Sequence, residues 1–249
     1  MNTTHSRTTW IVLPAFNEEK DLPTLLGRIA LVAAESALEF EILVVDDGST
    51  DRTAAIVTEW ASEHKARLQR HETNLGLGAT LRDGVQWACD LAADGDVIIT
   101  LDADNSHTPE LIVRMLRHIR EGHDVVIASR FRRESRVKGV PLNRRILSVI
   151  AAFLFRVVFP IRGVRDYTCG YRAYKAELLK GATQDPAFFD QDGFQVMVDI
   201  LLKLRRSKDI IFGEVPLILR YDHKEGASKM NVGLTIKQTL ILIAQRRFT

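Results

Sequence analysis

The sequence has few cysteines, no long apolar run and almost no net charge. Its 249 residues include only Cys89 and Cys169, which is too few for a disulfide scaffold and fits a reducing compartment. Since no stretch of about 20 apolar residues occurs, the sequence predicts no membrane-spanning helix. The polar stretch at residues 1–10 lacks the apolar core of a secretory signal. The formal net charge of +2 gives no bulk electrostatic reason to expect a nucleic-acid partner.

What the chain does have is an alternation of strand-like and helix-like segments. Apolar runs predict buried strands, and amphipathic stretches between them predict helices. This alternation is typical of an α/β fold with a mostly parallel sheet covered by helices, and no linker divides the chain. The predicted strands are residues 10–14, 41–47, 66–72, 96–102, 124–129 and 214–220. The predicted helices are residues 22–38, 53–64, 79–93, 108–120, 144–159, 194–206 and 233–248.

Acidic and polar residues cluster where three predicted strands end, in PAFNEE (14–19), VVDDGSTD (44–51) and LDADNSH (101–107). Because the carboxyl ends of parallel strands meet at one edge of a sheet, we expect these clusters to line one crevice. Asp102 and Asp104 supply the carboxylate oxygens that Mg²⁺ and Mn²⁺ prefer, and such a metal ion commonly also holds substrate phosphates. The competing interpretation, commoner for an isolated pair of this kind, is a turn before the next helix.

Two further stretches have open interpretations. One carboxylate of the Asp46–Asp47 pair could accept hydrogen bonds from a nucleotide base or ribose, although nearby hydroxyls could simply cap the next helix. The stretch NLGLGATLRDG (74–84) does not fit a dinucleotide fingerprint, because it follows the third predicted strand and lacks the required spacing. Gly76 and Gly78 are therefore predicted to let the backbone approach a ligand or another loop.

Several basic residues lie close in sequence to the predicted crevice or to an apolar helix. Arg130 follows a predicted strand directly, and Arg144 and Ser148 lie near the start of the apolar segment 144–159. Arginine suits phosphate by bidentate geometry, and lysine suits it as a point charge. Each residue taken singly is more often a solvated surface charge, so the prediction of an anion site depends on their number.

Together these stretches resemble family 2 glycosyltransferases of the GT-A fold, and within them the polyprenyl-phosphate glycosyltransferases that include dolichol-phosphate mannose synthases. The matching stretches occur in the expected order and cover nearly the whole chain. They are LPAFNEEKDL, ILVVDDGSTDRT, NLGLGATLRDGV, ITLDADNSHTPELI, IASRF, RRILS, RDYTCGYRAYKAELL and EGASKM.

The resemblance implies a Rossmann-like, mostly parallel central sheet flanked by helices. It also implies inverting, metal-dependent transfer of a sugar from a nucleotide diphosphate, with GDP-mannose as first choice, to a polyprenyl or dolichyl monophosphate. A single domain (1–249) would bind nucleotide sugar and metal through residues 8–135 and the acceptor through residues 136–249. Amphipathic interface helices near 144–160 and 233–248 would hold the protein at the cytoplasmic face of a membrane, peripherally or through an anchoring partner.

The resemblance also implies roles for individual residues. The nucleotide sugar is assigned to Pro14, Phe16, Glu18, Asp46, Asp47, Asp102, Ala103 and Asp104. The metal ion, Mg²⁺ or Mn²⁺, is assigned to Asp102 and Asp104, with Ser106 as a candidate third ligand. The acceptor phosphate is assigned to Arg130, Arg144 and Ser148. The residues expected to be catalytic are Asp104, Arg130, Arg144 and Lys229, the last on a loop that closes over the diphosphate.

The chain departs from the family pattern in two places. Ser106 stands where members of this group often carry a Gln that ligates the metal, which leaves the metal preference open. The loop at residues 221–230 is one residue longer than the pattern, so its usual arginine is replaced by Arg220, His223 or Lys224.

Three other functions are compatible with parts of the sequence. A family 2 enzyme could use a UDP-sugar donor or a different hydrophobic or soluble acceptor. Attack by an acceptor hydroxyl would need a base, and a carboxylate such as Asp166 would have to fill that role. The stretch VVDDGS also resembles the acidic pair of signalling receiver domains, but that class leaves Asp102 and Asp104 unexplained. A catalytically inactive binding module is the third.

Overall fold

The computed structural model describes residues 7–207, 209–223 and 232–247. Its strands are β1 (Thr8–Ala15), β2 (Glu39–Asp46), β3 (Ala66–Arg70), β4 (Val97–Thr100), β5 (Val125–Ser129), β6 (Arg136–Lys138), β7 (Arg172–Lys175), β8 (Phe212–Pro216) and β9 (Ile218–Arg220). Its α-helices are α1 (Leu22–Ser36), α2 (Thr53–Ala61), α3 (Leu77–Leu91), α4 (Leu111–Arg120), α5 (Leu142–Val158), α6 (Ala176–Ala182), α7 (Val196–Leu204) and α8 (Val232–Arg247). Short 3-10 helices span Pro186–Phe189 and Tyr221–His223.

Seven strands form one sheet in the order β3-β2-β1-β4-β7-β5-β8, and β6 pairs with β9 in a separate parallel ribbon. All neighbours in the large sheet are parallel except β7, which runs antiparallel to both β4 and β5. The predicted α/β fold with a mostly parallel central sheet is therefore confirmed. Because β7 lies between β4 and β5, strands from both halves of the chain share one sheet.

Three parts of the strand prediction were wrong, and the first is that the three-residue strand β6 was not predicted. The predicted strand 214–220 is two strands in different sheets, since Pro216 ends β8 and has no N–H to donate to a sheet. The strand β7 was not predicted, because its four residues RAYK carry a charge at each end. Arg172 is nevertheless fully buried, and its guanidinium donates to the backbone carbonyls of Met197 and Tyr167.

The core lies on both faces of the sheet and brings its helices close to the strands. Helix α1 buries Leu22, Leu25, Leu26 and Ile29 at helical spacing. A Cβ at Gly84 would lie only 2.6 Å from Val12 Cγ1, so the glycine in α3 lets this helix pack directly on β1. Close packing of this kind fixes the loops at the carboxyl ends of β1 and β2.

Helices occupy both segments predicted to be interfacial, as α5 and α8. No helix among the described residues has the length and apolar character needed to cross a membrane. Helix α5 instead exposes a row of apolar side chains, namely Leu142, Ile146, Val149, Ile150, Phe153 and Val157. Apart from the adjacent Val149 and Ile150, successive members are three or four residues apart, so they lie along one side of the helix and form an exposed apolar stripe.

Candidate active site

The loop after β4 carries the two carboxylates predicted to bind a metal ion. The side chain of Asp102 is 44% exposed, whereas Ala103 is buried. Asp104 Oδ1 accepts hydrogen bonds from the Ser106 backbone N–H at 3.1 Å and from Ser106 Oγ at 2.6 Å. The Ser106 hydroxyl therefore donates to Asp104, so it can support a metal site by orienting a ligand. Direct ligation by Ser106 stays a prediction.

His107 belongs to this loop although the sequence reasoning did not single it out. Its side chain is 6% exposed, and Nδ1 lies 3.8 Å from Asp102 Oδ2. Its ring lies against Tyr171, with 5.3 Å between ring centroids. The available signal was its position directly after DADNS, where a polar ring can support the neighbouring carboxylate.

The loops after β1 and β2 are hydrogen-bonded into one unit. The Asn17 N–H donates to Ser49 Oγ, and the Thr50 N–H donates back to Asn17 Oδ1, both at 2.8 Å. The Glu18 N–H donates to Thr53 Oγ1 at 2.8 Å. The structure thereby brings to one edge of the sheet the residues predicted to bind the nucleoside, Pro14, Phe16, Glu18, Asp46 and Asp47.

The Asp46–Asp47 pair is buried and bonded to its own chain. Asp46 Oδ1 accepts from the Ser49 N–H at 3.0 Å. Asp47 accepts from His71 Nδ1 and from the backbone N–H groups of Leu75 and Gly76, at 2.8 to 2.9 Å. These bonds fix the loop before α3, a structural use of Asp47 that the sequence reasoning did not foresee. Nucleoside binding by the pair stays a prediction.

The glycines before and within α3 allow two loops to touch. A Cβ at Gly78 would lie 2.6 Å from the backbone carbonyl carbon of Asp192, and the Gly78 N–H donates to the Asp192 carbonyl at 2.8 Å. Gly76 has a φ of +89°, in the left-handed region that favours glycine. These glycines were predicted to let the backbone approach either a ligand or another loop. The structure shows the approach to another loop, the one that carries Asp192.

Arg130 follows β5 and is held by a buried carboxylate. Its Nε donates to Asp166 Oδ2 at 2.8 Å, its Nη2 donates to Asp166 Oδ1 at 2.6 Å, and Nη2 also donates to Thr168 Oγ1 at 2.5 Å. Burial lowers the pKa of Arg130, but the carboxylates of Asp166 and Asp102 outweigh it, and the net pKa is raised. Strands β4 and β5 both run antiparallel to β7, so Arg130 lies at the same edge of the sheet as the loop that carries Asp102 and Asp104.

Asp166 is poorly suited to the role of a general base. Burial raises the pKa of its carboxyl, but the charge and hydrogen bonds of Arg130 dominate and leave the pKa below its usual value. A carboxylate that is fully buried, paired with an arginine and acidic has little tendency to accept a proton at neutral pH. This geometry disfavours the alternative in which Asp166 activates an acceptor hydroxyl.

A short chain of contacts connects the loop that carries Asp102 and Asp104 to α5. The Arg220 N–H donates to the Ser106 carbonyl at 2.9 Å, and Tyr221 follows Arg220 directly. Arg144 Nη1 donates to the Tyr221 hydroxyl at 3.0 Å. Ser148 lies one turn after Arg144, and its buried Oγ has no hydrogen-bond partner in the described part of the chain. The structure thus brings Arg144 and Ser148 together and links them to the carboxylate loop through Tyr221, which the sequence reasoning missed.

Part of the predicted closing loop lies outside the described residues. Lys224 and Lys229 fall in the segment 224–231, so their predicted roles stay predictions. Arg220, a candidate for the missing arginine, donates from Nε and Nη2 to Asp222 at 2.9 and 3.0 Å.

The carboxylate loop fits a hydrated divalent cation. Across residues 7–207, 209–223 and 232–247, no three His, Cys, Asp or Glu side chains are grouped so as to hold a metal ion. Asp102 and Asp104 would therefore bind with two carboxylates. This donor set is the one Mg²⁺ uses when waters and substrate phosphates fill its other positions.

Ser106→Ala tests the supporting role of the hydroxyl. The variant leaves Asp104 Oδ1 with only the backbone N–H donor, so the carboxylate is held less firmly. We expect the metal concentration needed for half-maximal activity to rise about 10-fold, with activity at saturating metal nearly unchanged. A metal titration of activity measures this, and Ser62→Ala, in an exposed turn, is the control. An unchanged metal requirement would contradict the supporting role.

Comparison with known proteins identifies the family. Residues 10–182 match the model of glycosyl transferase family 2. The chain is 32% identical over 231 residues to a dolichol-phosphate mannosyltransferase of Pyrococcus furiosus, an alignment covering 92% of this chain and 61% of that protein. It is also 32% identical over 240 residues to a polyprenol monophosphomannose synthase of Mycolicibacterium smegmatis, covering 95% of this chain and 86% of that protein.

A solved structure supports the fold assignment. Glucosyl-3-phosphoglycerate synthase from Mycobacterium tuberculosis, in complex with Mn²⁺, uridine diphosphate and phosphoglyceric acid, matches with a TM-score of 0.68 and 23% identity. The match covers 97% of this chain and 78% of that chain. The fold is that of the GT-A glycosyltransferases. The chain belongs to glycosyl transferase family 2, which confirms the family resemblance and the prediction of an enzyme.

Proposed function

We propose that the protein transfers a sugar, with mannose from GDP-mannose as first choice, to a polyprenyl monophosphate with inversion at the anomeric carbon. The names of the two curated relatives support the lipid phosphate acceptor and the mannosyl group. The first of these relatives is longer, since the chain spans only 61% of its length. The nucleotide, the metal requirement and the place of action are parts of the proposal.

The observation that carries the proposal is the composition of α5. Arg144, near its start, combines a cation with a link to the carboxylate loop through Tyr221. The apolar stripe begins at Leu142 and continues to Val157, and both side chains are more than 60% exposed. A phosphate on a long hydrocarbon is the acceptor that satisfies both features, because its head meets the cation while its chain covers the stripe.

Asp102 and Asp104 would hold Mg²⁺ or Mn²⁺ against the donor diphosphate. When bound, the metal offsets the negative charge that develops on the leaving nucleoside diphosphate. Ser106 keeps Asp104 oriented, and the His107 ring lies beside Asp102. Pro14, Phe16 and Glu18 would hold the nucleoside on the hydrogen-bonded loops after β1 and β2. Lys229 would close over the diphosphate.

The acceptor phosphate would be positioned by Arg144, Ser148 and Arg130. Asp166 neutralises much of the charge of Arg130, so Arg144 supplies the larger part of the electrostatic attraction for the acceptor phosphate. A phosphate oxygen is anionic at neutral pH and needs no general base. The ion-paired state of Asp166 supports this mechanism over attack by a hydroxyl. Attack on the face opposite the leaving group inverts the configuration.

The place of action is proposed to be the cytoplasmic face of a membrane. The exposed stripe on α5 supports peripheral attachment, either alone or with an anchoring partner. Helix α8 adds exposed Ile236, Leu240 and Ile241. Cys89 and Cys169 are free thiols, which is compatible with a reducing compartment.

A donor and acceptor panel tests the proposal. The purified chain is incubated with GDP- and UDP-sugars, Mg²⁺ or Mn²⁺, and either a short polyprenyl phosphate or the matching polyprenol in detergent. We expect transfer from GDP-mannose to the phosphate, with inverted configuration and no polyprenol product. Arg144→Gln should raise the acceptor KM about 10- to 100-fold, because a charge-assisted contact is lost.

The control is Arg145→Gln, which removes an exposed arginine at the next position of α5 and should have little effect. Transfer to polyprenol alone would remove Arg144 from the acceptor role and overturn the proposed acceptor. Equal effects of the two substitutions would show that Arg144 contributes only to the overall positive charge of α5 and makes no specific contact with the acceptor phosphate.

A further inference from the structure

A concave pocket lies at the end of α5 that is far from the candidate active site. It has a volume of about 380 Å³. Its lining residues come from the ends of three elements and are Pro160, Ile161, Arg162, Arg205, Arg206, Ser207, Ile210 and Phe212. Because Phe212 begins β8 and the active site lies at the carboxyl ends of the strands, the two sites are about 13 Å or more apart.

The pocket carries a concentration of positive charge without acidic partners. In the described part of the chain, Arg162, Arg205 and Arg206 form no ion pair with Asp or Glu. Arg205 lies over the Phe159 ring, 5.0 Å from its centroid, which holds its guanidinium in place. Ser207 adds a hydroxyl. The chemistry of this set suits an anionic phosphate.

The simpler explanation is that these arginines only stabilise helix ends. The pocket lies after the last turns of α5 and α7, where each helix dipole amounts to about half a negative charge. Two such ends offset about one of the three positive charges. Asp209, which lies between Ser207 and Ile210 in the chain, offsets about one more. A net charge of about +1 therefore remains over a concave surface, and helix capping does not account for it.

The neighbourhood of the pocket indicates where the phosphate comes from. The apolar stripe on α5 extends over the 17-residue helix, about 25 Å, and its last member, Val157, is 63% exposed three residues before Pro160. A surface that places apolar side chains in lipid would bring both helix ends to the level of the headgroups. One end carries Arg144, and the other end carries the pocket.

We infer that the pocket binds the phosphate headgroup of an anionic membrane phospholipid and fixes the orientation of α5 on the bilayer. The inference rests on the proposed function only in that α5 faces a membrane. The headgroup site is distinct from the acceptor site, because the acceptor phosphate must reach the strand ends. Anionic lipid would thus strengthen attachment without being a substrate.

The test compares vesicle binding of matched charge variants. Arg162→Gln/Arg206→Gln removes two exposed arginines of the pocket and leaves the packed Arg205 in place. The control, Arg52→Gln/Lys65→Gln, removes two exposed cations next to β2 and β3, about 30 Å away across the sheet. Both variants have the same net charge. Co-sedimentation is measured with zwitterionic vesicles and with vesicles that also contain an anionic phospholipid.

We expect the pocket variant to bind anionic vesicles about 30-fold more weakly than wild type, since each of the two arginines contributes a factor of about five near an anionic surface. Binding to zwitterionic vesicles should be unchanged, and the control should stay within about twofold of wild type. Ser207→Asp, which adds a carboxylate at the pocket, should weaken anionic binding in the same direction. Equal losses in the pocket variant and the control, or no loss in either, would overturn the inference.

Two further measurements are needed. The first distinguishes a lipid headgroup from free phosphate as the ligand of the pocket, and the second distinguishes a failure of this inference from a failure of the proposed function. Millimolar inorganic phosphate should leave vesicle binding within about twofold, and displacement of the protein from vesicles would mean that the pocket takes free phosphate instead. Sugar transfer to a short polyprenyl phosphate in detergent should be unchanged in the pocket variant. Pocket-dependent vesicle binding without any sugar transfer would refute the proposed function alone. Normal transfer with pocket-independent binding would refute this inference alone.

Discussion

Asp104→Asn is expected to lower sugar transfer about 1,000-fold while leaving the fold intact. The substitution removes one of only two carboxylates available to a metal ion in the loop after β4 and keeps the side-chain volume. Losing the metal would cost about 4 kcal/mol of transition-state stabilisation, which corresponds to this factor. Initial rates at saturating donor and acceptor measure the effect.

The control for this prediction is Asp94→Asn, which removes an exposed carboxylate at the amino end of the same strand, β4. It should retain nearly full activity. Thermal unfolding with and without Mn²⁺ gives a second readout, because a ligand that binds the folded state raises the midpoint. Wild type should be stabilised by Mn²⁺ and Asp104→Asn should not. Metal-independent transfer, unchanged in the variant, would refute the metal role of this loop.

Asp166→Asn is expected to destabilise the protein by about 3–5 kcal/mol. Asp166 is fully buried and accepts three hydrogen bonds from Arg130 and one from the Cys169 N–H. Removing one member of a buried ion pair leaves the other charge uncompensated, which is the source of the large cost. Denaturant unfolding monitored by circular dichroism measures the change.

The matched control is Asp222→Asn, since Asp222 also accepts two bonds from one arginine, Arg220, but at the surface. Solvent screens that pair, so its loss should leave the unfolding midpoint nearly unchanged. Similar losses in both variants would show that burial does not set the strength of the Asp166 pair.

The stability effect of Asp166 should depend on pH in a defined direction. The folded-state pKa of Asp166 lies below its unfolded value of about 3.9. Its contribution is therefore fully present above that unfolded value and is lost as the pH falls toward the folded pKa. The difference in unfolding free energy between wild type and Asp166→Asn should be constant near neutral pH and shrink below about pH 4. A difference that grows on acidification would contradict the lowered pKa.

The fold was largely predictable from sequence because its main signals are local. Apolar runs such as 41–46 and 97–101 lie buried between amphipathic helices, and their periodicities identify both kinds of element. The antiparallel strand β7 was not predictable in this way. RAYK is short and charged at both ends, and only the completed sheet provides backbone carbonyls for the buried guanidinium of Arg172.

The candidate site was predictable where chemistry is concentrated in a few adjacent residues. The neighbouring sequence is enough to predict a role for Asp102 and Asp104, which follow a strand, and for Arg144, which lies beside an apolar segment. The residues that these side chains contact could not be predicted from the sequence. Arg130 binds Asp166, which is 36 positions away, and Arg144 meets Tyr221, which is 77 positions away. Contacts over such separations depend on how the sheet and α5 are arranged.

The sequence by itself determined the α/β class, the family and the residues that could bind a metal ion and a phosphate, because motif order and strand-end position are properties of the chain. The tertiary structure decided which charged side chains are neutralised by an ion-pair partner. Arg130 and Asp166 form a buried ion pair, whereas the three arginines of the pocket beside α5 form no ion pair with a carboxylate among the described residues. Neutralisation depends on distances of a few ångströms between side chains, and only the folded chain fixes those distances.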